Sequence, residues 1–262
     1  MKLLVNLVRL LTIFSLVFVS CNISDNGTNN SSIKYLNKKI NNVTYTNVPD
    51  SIKILYKEFA GTLALREIQS DAKLRETLVK IPDEYIQLFY NALIQVYNSA
   101  NIPARNIVIN DYSISVFFAP ESHYLLVDVD TTFNWVKQWM KDSLNSGNLK
   151  VDSLTTNYGL SIYRSYNWAW SYNFLLKAAQ PINIIALCQL FKGVEGVKQV
   201  YPDGVTGDGN NIIAAITDEY VTLDYSYGFG DCPAGCISRH YWHFLVYYDG
   251  IVEYIGESGD PI

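Results

Sequence analysis

Long apolar runs, basic clusters and catalytic signatures are all scarce in this chain of 262 residues. After residue 19 no stretch is long and apolar enough to span a bilayer, which excludes a multi-pass membrane protein. Lysine and arginine (20) are outnumbered by aspartate and glutamate (25) and form no cluster, so no nucleic acid is expected as a partner. There is no Gly-x-Ser-x-Gly elbow, no phosphate loop and no His-Glu-x-x-His pair. Their absence removes the commonest nucleophilic, nucleotide-dependent and zinc-hydrolase readings. No motif asks for a cofactor. Internal repeats are also absent, and the one polar, low-hydrophobicity tract lies near the N-terminus.

That tract follows a segment with a different composition. Lys2 and Arg9 lead into the apolar run Leu10 to Val19, the layout of a secretory signal. The run ends in Val19-Ser20-Cys21, which resembles the lipobox of bacterial lipoproteins, with Phe18 where leucine is commoner. The resemblance covers residues 1–21, a lipoprotein signal peptide with its lipobox, and implies a lipid on the Cys21 thiol and Cys21 as the first mature residue. Removing Lys2 and Arg9 takes the formal charge from −5 to −7. Residues 22–46 then read as a flexible tether, because a tract rich in Asn, Ser and Thr has little to bury. The expected location is extracytoplasmic, at the cell envelope, with the membrane as a partner through the lipid.

The body reads as α+β. Apolar positions Ile52, Leu55, Tyr56, Phe59 and Leu63, spaced three and four apart, predict a helix that Asp50-Ser51 can cap. Pro82-Asp83-Glu84 opens a second helix that ends before Pro103. Between residues 124 and 201 the order is strand, helix, strand, strand, helix, strand, that of a ferredoxin-like split β-α-β unit, with one helix from Thr131 to Leu144 and Tyr166 to Trp170 as a connecting turn. After Gly204 only strands follow, an antiparallel meander whose Asp249-Gly250 predicts a type I′ hairpin turn. The expected divisions are 47–204, helices plus the ferredoxin-like segment, and 205–262, the meander.

Gly230 to Phe244 holds Cys232, Cys236, His240 and His243, spaced C-x3-C-x3-H-x2-H. A metal centre, a redox pair and a disulfide compete for this pattern. Along a regular strand His240 and His243 point to opposite faces and cannot close on one tetrahedral metal, although a bulge would allow it. Redox pairs are usually two residues apart at a helix N-terminus. Outside the cytosol paired cysteines oxidise, and with Cys21 on lipid and Cys188 on an apolar helix face, Cys232 and Cys236 remain for each other. A disulfide is the expectation.

Other chemistry is sparse. Asp203 and Asp208 sit in a Gly- and Asn-rich loop that would suit calcium, though EF-hand spacing is missing. Asp128 and Asp130 alternate on a strand as a carboxylate pair. Two aromatic groups remain. One is the hairpin face Tyr241, His243, Tyr247 and Tyr254, joined there by Leu245 and Val252 if the two-residue turn holds; the other is the turn holding Trp168 and Trp170. Rings with polar tips suit sugars and protein surfaces. The expectation is therefore a binding or interaction module for a protein or carbohydrate partner. The alternative is a secreted hydrolase using the carboxylate pair or a metal at Cys232, Cys236, His240 and His243.

Two further resemblances bear on this. The string Gly-Asp-Cys-Pro-Ala-Gly-Cys-Ile-x-x-His-Tyr-Trp-x-Phe looks like a motif of secreted bacterial proteins with no assigned activity. Pro181-Ile182-Asn183, Gly196-Val197 and Asp208-Gly209-Asn210 are similar to the same group. Over residues 80–262 this implies secretion and a shared fold, and carries over no catalytic residue. The ending Gly196 to Tyr201 also looks like propeptide-type inhibitors of secreted serine proteases, whose small ferredoxin-like domains clamp a protease.

Overall fold

The computed structural model describes residues 33–117, 122–168, 171–204 and 207–262. The expected signal segment, Cys21 and Trp170 lie outside them. Among the described residues no helix is long and apolar enough to cross a membrane.

Helix α1 (Asp50–Ser70) follows Pro49, and Asp50 sits inside its first turn, paired with Lys53 at 2.9 Å rather than capping the backbone. Helix α2 (Ala72–Thr77) has a true cap, the Asp71 carboxylate accepting from the amides of Lys73 and Leu74. In α3 (Asp83–Asn98) the acids of the first turn face the positive helix end, and Tyr85, Leu88, Phe89, Ala92, Leu93 and Val96 form the buried stripe. Helix α4 (Pro103–Asn106) runs into a π-helical turn, Ile107–Asp111.

The first sheet contains β1 (Tyr124–Val129), β2 (Leu160–Trp168), β3 (Ser171–Ala178) and β4 (Val197–Pro202) in the order β2-β3-β1-β4, every pair antiparallel. Two strand-helix-strand crossovers, interleaved so that neighbouring strands oppose, give this order, and it is the ferredoxin-like arrangement. Helices α5 (Asn134–Trp139), α6 (Leu149–Asn157) and α7 (Ile184–Lys192) cover one face. Their core joins Val127, Phe174 and Leu176 of the sheet to Trp139, Leu187 and Phe191, all fully buried.

Two boundaries differ from the sequence reading. The first crossover carries two helices in place of one: the chain turns at Asp142, with φ 57°, and restarts at Asn148, whose side chain caps α6. Part of the expected Tyr166 to Trp170 turn is strand, with Tyr166 opposite Asn173 and Trp168 opposite Ser171. Cross-strand pairing prevails there over the turn-like look of the sequence.

The second sheet is a sequential meander of β5 (Asn211–Ile216), β6 (Tyr220–Phe229), β7 (Ser238–Tyr247) and β8 (Val252–Gly259). Its inner face buries Leu223, Tyr225, Trp242, Phe244 and Val246, with α3 against β6 and β7. The β7–β8 turn corrects an expectation. Tyr248-Asp249-Gly250 form a three-residue loop in which Gly250 N–H donates to Tyr247 O, and only Gly250 takes a positive φ, 95°. The register moves by one residue, so Val246 faces Val252 and Phe244 faces Tyr254. Val252 and Tyr254 thereby join the inner face, the Tyr254 ring 5.3 Å from that of Phe244.

The expected tether is not free along its whole length. Asn41 N–H donates to Tyr248 O at 2.9 Å, the Asn42 side chain donates to Asp249 O at 2.9 Å, and Tyr45 Oη donates to Asn91 at 2.6 Å. Ile40 and Val48 are buried. Residues 40 to 48 thus belong to the folded body, strapped over the β7–β8 turn and α3.

Candidate functional site

The cysteine loop is a structural node. Cys232 and Cys236 lie at disulfide distance with Cα atoms 3.9 Å apart, and Cys188 is free and buried in α7. Asp208 holds the loop from outside. Its carboxylate meets the Arg239 guanidinium at 2.6 Å and accepts from the amides of Gly209 and Cys236, while its own amide donates to Cys232 O. Arg239 also donates to Gly209 O and Ser226 Oγ, each at 2.8 Å. The Asp208 carboxylate, considered above for calcium, is therefore already committed to a cation. Among the described residues no group of three or more His, Cys, Asp or Glu stands close enough to hold a metal, and Asp203 adds only a backbone bond to Tyr124 O.

The hydrogen bond from Arg239, then that from the Gly209 amide, hold the Asp208 carboxyl below the ordinary aspartate value of 3.8. A depressed carboxyl stabilises the fold above the ordinary value and loses that contribution as pH falls through the depressed one. Asp208→Asn is therefore expected to lower the melting temperature at pH 7, with the gap to wild type closing on acidification below about pH 4. Thermal melts across pH check this; a gap of constant size contradicts it.

His240 and His243 take opposite faces of the second sheet. His240 is buried, its Nδ1 at 2.8 Å from Asp260 O. His243 points outward, where Nδ1 lies 2.7 Å from Asp224 Oδ1 and Nε2 lies 2.8 Å from Ser258 Oγ. Asp224 sits directly opposite His243 across β6 and β7. Tyr241 stacks parallel to the His243 ring at 6.1 Å, and Tyr247 Oη donates to Glu253. The expected aromatic face thus keeps Tyr241, His243 and Tyr247, loses Tyr254, and gains two polar residues, Asp224 and Ser258, that a single-strand reading does not reach. Only the pairing of three strands brings them together.

The carboxylate pair is not a pair in chemistry. Asp130 leaves the sheet and accepts from the Thr132 amide at 2.9 Å. Asp128 remains on the sheet, level with Asn173 of β3 and Gln199 of β4, on the face away from the helices. Its Oδ1 is buried without a hydrogen-bond partner. His123, just before β1, is largely covered, with Nδ1 2.8 Å from Ser122 Oγ and Nε2 3.5 Å from Glu58.

The face of the first sheet away from α5, α6 and α7 gathers several aromatic side chains. By register it carries Tyr124 and Leu126 on β1, Asn173, Leu175 and Lys177 on β3, Arg164, Tyr166 and Trp168 on β2, and Tyr201 on β4. A bulge between Ile162 and Arg164 turns Tyr163 onto the same side, its ring 5.3 Å from that of Tyr124. Trp168 (54%), Tyr163 (52%) and Tyr201 (44%) are exposed. Lys177 lies 5.7 Å from the centroid of Tyr124 and 5.8 Å from that of Tyr163, and Arg164 lies 5.7 Å from Tyr163. Tyr166 and Trp168 stand 5.9 Å apart at the far end.

No family model, curated protein or solved structure matches this chain. The reading of the site therefore rests on its chemistry alone.

Proposed function

We propose that the chain is an envelope-anchored, extracytoplasmic binding module that takes an extended saccharide on the open face of its ferredoxin-like sheet. One observation carries the reading: the exposed rings of Tyr163, Trp168 and Tyr201 share one sheet face with hydroxyl, guanidinium and ammonium tips. Sugar rings offer C–H faces to aromatic side chains and hydroxyl groups to polar tips, so one ligand class answers both features. The aliphatic side chains of this face are the covered ones, Leu175 buried and Leu126 partly so. What stands exposed is rings and polar tips, which suits a hydrated ligand better than a greasy protein partner. From Tyr163 to Trp168 the strand rise gives roughly 15 Å, room for an oligosaccharide.

The anchor in this proposal rests on Val19-Ser20-Cys21, and Cys21→Ala is expected to move the chain from the membrane to the soluble fraction. The binding test is affinity electrophoresis of the mature chain through gels holding bacterial envelope polysaccharides. At least one polysaccharide should retard it. Trp168→Ala combined with Tyr163→Ala should weaken that retardation by about tenfold or more, from stacking losses of order 1 kcal/mol per ring. Retardation unchanged in the double variant, or none with any polysaccharide, contradicts the proposal.

A further inference from the structure

The row Asp224, His243, Ser258 crosses three strands on the outer face of the second sheet, on a different sheet from the proposed saccharide face. Its hydrogen bonds have a forced order. A carboxylate only accepts, so the proton between Asp224 and His243 sits on Nδ1, and in the neutral imidazole Nε2 presents its lone pair. Ser258 Oγ at 2.8 Å is then the donor to Nε2. This is the protonation pattern that lets an imidazole remove a proton from a serine hydroxyl, with the carboxylate fixing the tautomer.

The position of Ser258 adds a second feature. Strand β8 is the edge of the sheet. Asp260 N–H donates to Arg239 O, and Ser258 faces Tyr241 two residues further along the ladder. Antiparallel alternation then turns the amides of Glu257 and Gly259 away from β7, towards the open edge. Gly259 N–H, on the residue after Ser258, is a donor placed beside the oxygen that would attack. All three side chains are reachable: His243 is 28% and Asp224 34% exposed, and Ser258 is exposed.

We propose that Ser258 is a nucleophile that takes the acyl group from ester substrates, with His243 as general base and Asp224 as the positioning residue. Ser258 Oγ bonds to the ester carbonyl carbon as its proton passes to His243 Nε2. The carbonyl oxygen gathers negative charge beside Gly259 N–H. The tetrahedral carbon then expels the alkoxide, which takes the proton from Nε2 and leaves as an alcohol. Water repeats the sequence on the acyl-serine, giving a carboxylic acid and free Ser258. A solvated sheet edge stabilises an oxyanion less than an enclosed pocket does. Esters, whose leaving groups depart readily, are therefore the substrate class, and amides are not.

The test treats the full mature chain with a fluorophosphonate probe and locates the adduct by peptide mass, alongside p-nitrophenyl acetate hydrolysis. The expected result is one phosphonyl group on the C-terminal peptide at Ser258, and a p-nitrophenol burst equal to the protein concentration. Ser258→Ala should lose both. His243→Gln should slow labelling by about 10²-fold or more, the usual worth of a general base. Asp224→Asn should slow it too, with Asp224→Glu restoring part of the rate, which a purely structural role for the carboxylate would not produce. No adduct at Ser258 in the folded wild type, or equal labelling in His243→Gln, overturns the proposal.

Discussion

Asn183→Ala is expected to lower stability by ~3 kcal/mol, the cost of leaving the Arg75 and Leu78 carbonyls without their side-chain donor and of emptying a fully buried site. Asn183 is fully buried. Its side-chain nitrogen faces three carbonyls, Leu74 O at 3.3 Å, Arg75 O at 2.9 Å and Leu78 O at 2.9 Å, and its backbone amide donates to Val79 O. Arg75 stands in the last turn of α2 and Leu78 just beyond it, and Asn183 gives their carbonyls a donor, while Leu74 O also accepts from the Leu78 amide at 2.9 Å. One side chain from the segment before α7 thus closes the end of a helix more than 100 residues earlier. For a body of this size the loss corresponds to a melting temperature lower by about 6–12 °C. Asn183→Asp should be worse still, since it sets a carboxylate against carbonyls where an amide donated. Urea melts of the three proteins check the order, and a neutral Asn183→Ala contradicts it.

Gly250→Ala should cost ~3 kcal/mol by two additive routes. Gly250 has φ 95°, where a Cβ is strained by about 1–2 kcal/mol. A Cβ there would also stand 2.6 Å from Asn41 O and 2.6 Å from Gln95 Nε2. Gln95 donates to Gly250 O at 2.9 Å, so the intruding methyl pushes apart the contacts that hold the 40–48 strap against the turn. The expected signature is a lower urea midpoint together with faster amide exchange at Asn41. If exchange at Asn41 is unchanged, the strap does not depend on the turn.

Much of the architecture was legible because hydrophobic periodicity is local. The stripe of α3 and the alternation of β1 and β7 fix which side chains are buried, and His240, Trp242, Phe244 and Val246 lie on one face as alternation requires. The split β-α-β order was readable for the same reason. Register was not. Asp249-Gly250 signals a hairpin but not whether its loop has two residues or three, and that single residue decides which face Tyr254 takes. The same limit hid the row of Asp224, His243 and Ser258, whose members are far apart in sequence and meet only through two ladders. Trp168 stood out as an aromatic candidate, but its companions Tyr163 and Tyr201 gather on one face only once a bulge and a strand order are known. The docked strap was missed because a polar sequence gives no sign that Ile40 and Val48 find a core.

The most direct test of the saccharide face is a titration of the tryptophan indole N–H signals of the 15N-labelled mature chain with the retarding polysaccharide's oligosaccharides. Trp135, Trp139 and Trp242 are buried, whereas Trp168 lies on the proposed platform. The indole of Trp168 should shift with saturating dose dependence while those of Trp135, Trp139 and Trp242 stay in place. Binding that leaves the Trp168 indole unmoved would contradict the account.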